Sequence, residues 1–211
     1  MSKKKAGFSV GLGLFDYINP IFYAITSITI ALNLFGVMNT SVFIIYVIGA
    51  VISLIFGMTI PTVKFIVGLG IMEFKMPVNL VFYVNSGIFI SGLMLFYTLI
   101  CQSIPIIIIT ALIIFALLGL IYYKKKKFNT VAVLIGAFGY IMIYSSLIYY
   151  ALKNSVISSL VLYIIAICLF VSLCLIGIKG NLKDARVHWV IEISNVICQM
   201  CVAVATLLVF N

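Results

Sequence analysis

The chain has 211 residues, of which 65% are hydrophobic and only 8% charged. A soluble domain carries roughly 25% charged residues, so a water-facing globule is excluded and the solvent is lipid. The net charge of +9 is gathered in clumps of Lys and Arg between apolar runs, which marks topology signals and headgroup anchors, not a nucleic-acid surface.

In lipid the backbone must satisfy its own hydrogen bonds, which leaves helices or a closed barrel. Barrel strands alternate apolar and polar residues, whereas 104–123 is an unbroken apolar run. The sequence therefore predicts an all-α integral membrane protein, a single polytopic membrane domain over 1–211. About 20 apolar residues span the hydrocarbon core. On that ruler about seven transmembrane helices fall at 17–37, 41–58, 77–101, 104–123, 130–152, 155–178 and 189–210.

Residues 1–16 read as a cytoplasmic or interfacial segment. Asp16 suits the helix N-terminus that follows, and Pro20 is tolerated in a first turn. The second helix carries Gly49, Ser53 and Gly57 as a small-residue ridge, echoed by Gly87 and Ser91 on the third, so two helices can approach closely. Between them, Pro61, Lys64, Glu73, Lys75 and Pro77 interrupt 59–76, and an interfacial or re-entrant segment is expected there. Lys124, Lys125, Lys126 and Lys127 read as lipid-headgroup anchors. With the N-terminus cytoplasmic and the C-terminus outside, twelve of the thirteen basic residues lie inside, as the positive-inside rule asks. A plasma membrane, in a bacterium by its Ile-, Lys- and Asn-rich vocabulary, is the expected location.

Asn19 to Thr26 and Asn79 to Ser86 open the first and third helices with similar residues, which points to an internal repeat, either of hairpins or in a 3+1+3 layout. The vitamin transporters of the PnuC type and the SWEET sugar transporters share this size and layout. Trp189-Val-Ile followed by Asn195 resembles helices of the former. Trp189 is the only tryptophan where that family pairs them, so no family function is carried over.

The chemistry-bearing pattern lies on the last helix. His188, Glu192, Asn195 and Gln199 are spaced 4, 3 and 4 and fall within about 60° of one another. A carboxylate at membrane depth is costly unless it is paired, protonated or wet, so this stripe faces the bundle interior. Asn19, Tyr23, Thr26 and Asn33 share a face of the first helix. Asn79, Tyr83 and Ser86 do so on the third, and Tyr140 and Tyr144 are one turn apart on the fifth. The expected solute or ion path is His188, Glu192, Asn195 and Gln199 with Asn19, Asn33, Asn79 and Tyr83 opposite.

No phosphate loop, H-E-x-x-H or G-x-S-x-G motif is present, so no enzyme, cofactor or metal site is expected. The five cysteines read as apolar fillers. These features favour a secondary transporter or channel-like permease for a small polar solute or cation. A non-catalytic membrane subunit or scaffold, or a homo-oligomer, is the alternative. A lipid-modifying membrane enzyme ranks third.

Overall fold

A computed structural model describes residues 9–71, 78–125, 128–179 and 185–210. The described residues are helical: α1 (Val10–Asp16), α2 (Ile18–Leu34), α3 (Thr40–Gly68), α4 (Val78–Phe96), α5 (Ile104–Lys125), α6 (Phe128–Lys153), α7 (Ile157–Lys179) and α8 (Ala185–Phe210). Six helical segments among them are long and apolar enough to cross a bilayer: Val10–Leu34, Thr40–Gly68, Asn79–Cys101, Ile104–Lys124, Thr130–Lys153 and Trp189–Phe210. Helix α7 runs from Ile157 to Lys179, with Ile157–Leu173 as its apolar stretch among the fully described residues. The surface supports the same environment. Leu32, Leu112 and Ile157 are exposed while Ser91, Ser146, Ser159 and Thr206 are buried, the distribution expected when the solvent is hydrocarbon. The chain is a multi-pass all-α membrane protein.

Packing joins α2, α3, α4, α6, α7 and α8 into a closed ring, each helix touching the next and α8 returning to α2. Helix α5 stands outside, attached to α6 through a thin seam that buries Ile107, Ile114 and Leu118. Three ring helices precede α5 and three follow it. The turns between neighbours are short. Asn39 caps α3 by accepting from the Ser41 amide at 3.0 Å. A π-turn at Tyr97–Cys101 ends in Gln102, whose φ of 51° reverses the chain into α5.

Two boundaries differ from those the sequence suggests. The first span begins at Val10, because α1 runs almost directly into α2 with Tyr17 shared as C-cap and N-cap. Residues 10–16 pack against α3, burying Leu12 and Asp16, instead of lying along the surface. The second span does not break at Thr59: α3 continues through Pro61 to Gly68 over 29 residues. Pro61 removes one ladder donor, and hydroxyls serve carbonyls on either side of the gap, Thr59 donating to Phe56 at 2.6 Å and Thr62 to Met58 at 2.8 Å. The expected interfacial or re-entrant segment is thus helix up to Gly68, and 72–77 lie outside the described residues.

Glycines set the closest crossings. A Cβ on Gly13 would lie 2.6 Å from the Phe65 backbone nitrogen, and one on Gly68 would lie 2.6 Å from that of Val10. The α1 and α3 backbones therefore touch. Gly49 and Gly87 do the same between α3 and α4, so the ridge read from sequence is used inside the monomer.

Candidate functional site

The α1–α3 crossing brings two charged side chains together. Asp16 lies one turn beyond Gly13, and Lys64 one turn before Gly68, so both project from the same contact. Helix α8 is steered to them by Trp189, whose ring packs on Phe15 with centroids 5.8 Å apart. One turn further along, Glu192 reaches the pair.

The result is a closed ring of four side chains. The Lys64 ammonium donates to Asp16 Oδ2 at 2.6 Å and to Glu192 Oε1 at 2.5 Å. The Asn19 amide nitrogen donates to Asp16 Oδ1 at 3.0 Å and to Glu192 Oε2 at 3.2 Å. Every carboxylate oxygen thus accepts one N–H. Lys64, Asp16 and Glu192 side chains are only 9%, 8% and 7% exposed, so removal from water costs several kcal/mol per ion and the four hydrogen bonds offset it. With both carboxyl groups ionised, two carboxylates against one ammonium leave one net negative charge. Asn19 cannot turn its amide over without setting its oxygen against both carboxylates. Held this way, its Oδ1 is buried with no hydrogen-bond partner.

This ring forms part of the wall of a cavity of about 220 Å³. The remaining wall includes Tyr23, Ser53, Tyr140, Asn195 and Gln199, with Gly57, Ile60, Pro61 and Ile88 as apolar surface. At its inner end the cavity narrows. Gln199 donates to the Tyr140 hydroxyl at 3.2 Å, Tyr140 stacks on Tyr144, and Tyr23 shares a 3.2 Å hydrogen bond with Ser91. Beyond these lies a chamber of about 10 Å³ bordered by Tyr23, Tyr46, Tyr140, Tyr144 and Gln199, room for about one water. The arrangement can admit a small polar solute as far as the tyrosines, beside a buried charge cluster.

Of the residues singled out in the sequence, Glu192, Asn195, Gln199 and Asn19 line the cavity. Asn33, Asn79 and Tyr83 do not. Asn33 is exposed and donates to the Thr29 carbonyl; Asn79 is exposed; Tyr83 is 45% exposed and stacks on Phe56. His188 belongs to α8, but its side chain lies outside the described residues, as do those of Lys125, Lys126 and Lys127; Lys124 is exposed.

Asp16 and Lys64 are the residues the sequence reading missed. Asp16 reads as a helix-start residue and Lys64 as a topology lysine, yet both are buried partners of Glu192. The available signal was the Asp16-x-x-Asn19 spacing and a lysine set one turn past a proline in an apolar run. Among the described residues no group of three or more His, Cys, Asp or Glu side chains could hold a metal. No family model, curated protein or solved structure matches the chain, so its function is read from this site.

Proposed function

We propose that the chain is a secondary transporter or channel-like permease for a small polar solute or cation, and not an enzyme. The observation that carries this reading is the buried Asp16–Lys64–Glu192 cluster in the wall of a solute-sized cavity inside a helical ring. Intramembrane ionisable residues mark ion and substrate pathways, and a cavity of this polarity suits a small ligand. Seven spans, with the N-terminus cytoplasmic, complete the proposal: α7 supplies the seventh, and the positive-inside rule supplies the orientation. Helix α5 then separates two groups of three, the 3+1+3 layout. With that orientation the cluster and cavity form a cytoplasmic vestibule of a plasma-membrane protein.

The test is uptake into proteoliposomes of labelled solutes presented singly: an amino acid, a sugar and an organic cation. At least one is expected to enter with the wild-type chain and to fail with Glu192→Gln. No uptake of any of them, or uptake unchanged by Glu192→Gln, overturns the reading. A membrane subunit or scaffold is the second reading, favoured by the position of α5 outside the helical ring on a thin seam. A stoichiometric partner that co-purifies and is needed for stability would support it.

A further inference from the structure

We propose that the cavity binds a small organic cation by its primary or secondary ammonium group, which takes over from Lys64 the hydrogen bond to Glu192. This rests on the transport reading for its setting and goes beyond it in naming the solute class.

Four observations converge. With both carboxyl groups ionised the cluster carries one net negative charge, which one monovalent cation neutralises. Among the described residues Lys64 is the only cationic side chain in the cavity wall, and it is held by two carboxylates, so an anionic solute meets no available positive charge from them. The carboxylate oxygens accept from nitrogen donors at 2.5 to 3.2 Å. Lys64 itself is an alkylammonium on a tether, and it displays the chemistry the site accepts. Finally, Asn19 is 7% exposed and its Oδ1 has no partner. When Lys64 withdraws onto Asp16 alone, an incoming ammonium finds Glu192 Oε1 as its acceptor, and Asn19 Oδ1 becomes a second once that side chain turns toward the cavity. A quaternary ammonium has no N–H to give, and among the described residues no group of three His, Cys, Asp or Glu side chains is placed to hold a metal ion. The Tyr23 and Tyr140 rings at the inner end offer π-faces and hydroxyls to the rest of the molecule.

Lys64 is then a tethered competitor. Its bridge joins α1 and α3 to α8, and the solute breaks that bridge by replacing one of its two ends. Asp16 keeps Lys64 because the Gly13–Gly68 crossing fixes those two elements together.

The experiment uses the full chain in nanodiscs with n-butylammonium as probe, and tetramethylammonium, sodium and butyrate as comparisons, read by calorimetry and by thermal unfolding. Saturable butylammonium binding is expected, weakened about tenfold or more by Glu192→Gln through loss of a charge-assisted hydrogen bond. The comparison ions are expected neither to bind nor to compete. Absence of saturable binding, equal binding by tetramethylammonium, or equal binding by Glu192→Gln overturns the proposal. Should Glu192→Gln fail to fold, Lys64→Ala decides: butylammonium raising its melting temperature more than tetramethylammonium supports the site, and an equal effect overturns it. Uptake separates the two readings. Amine binding without amine uptake keeps the site and ends transport of that solute; Glu192-dependent uptake of a sugar without amine binding ends this proposal and leaves the permease.

Discussion

Replacing Lys64 by Met keeps most of the side-chain volume and removes the ammonium shared by Asp16 and Glu192. Both carboxyl groups then lose a charge-assisted bond at once, and where both stay ionised two like charges face each other with only the Asn19 amide between them. All three charged side chains are less than a tenth exposed, so water cannot screen the loss. Removing one partner from a buried ion pair costs about 3–5 kcal/mol, a large part of the total stability of a small domain. The triple variant Lys64→Met, Asp16→Asn, Glu192→Gln removes the charges together and is expected to recover most of that loss, because the sites are coupled. The assay is unfolding in mixed micelles by SDS titration, followed by far-UV circular dichroism. A Lys64→Met loss below about 1 kcal/mol, or a triple variant no more stable than the single one, refutes the reasoning.

Two other outcomes follow from the same geometry. Gly13→Val places side-chain atoms where the Phe65 backbone already stands, so it is expected to destabilise by about 1–3 kcal/mol as an overpacked contact and to weaken Glu192-dependent uptake; micellar unfolding and proteoliposome uptake measure both. With native cysteines replaced, Asn154→Cys is expected to react with an impermeant thiol reagent added outside cells, and Lys124→Cys only after the membrane is opened; the reverse pattern sinks the proposed orientation.

Hydropathy located the membrane helices because uninterrupted apolar runs such as Ile104–Lys124 have few other readings. It shortened two of them for a shared physical reason. Gly11 and Gly13 look weakly apolar by side chain, yet Gly13 serves a backbone contact that composition does not register. Pro61 and Lys64 look like terminators, yet the helix continues through the proline and buried carboxylates pair with the lysine. In the site, the α8 stripe was legible since spacings of three and four residues put side chains on one face. Asp16 and Lys64 were not, because their pairing spans 48 and 128 residues of chain and a charge near a span end has a ready alternative explanation. Helical facing alone did not separate Asn19 from Asn33 or Asn79; the packing of α2 on α8 and α3, and of α4 on α3 and α6, does.

The proline in α3 has a mechanical consequence. Pro61 leaves the Gly57 carbonyl without its ladder partner, and Gly57 brings no side chain to stiffen that turn, so resistance to bending in α3 is lowest there. Beyond this point the helix is clasped to α1 by backbone contact, and the clasped pair behaves as one short lever with Lys64 mounted on it. Bending at the proline would swing the lysine toward or away from α8 without disturbing the crossing that holds Asp16.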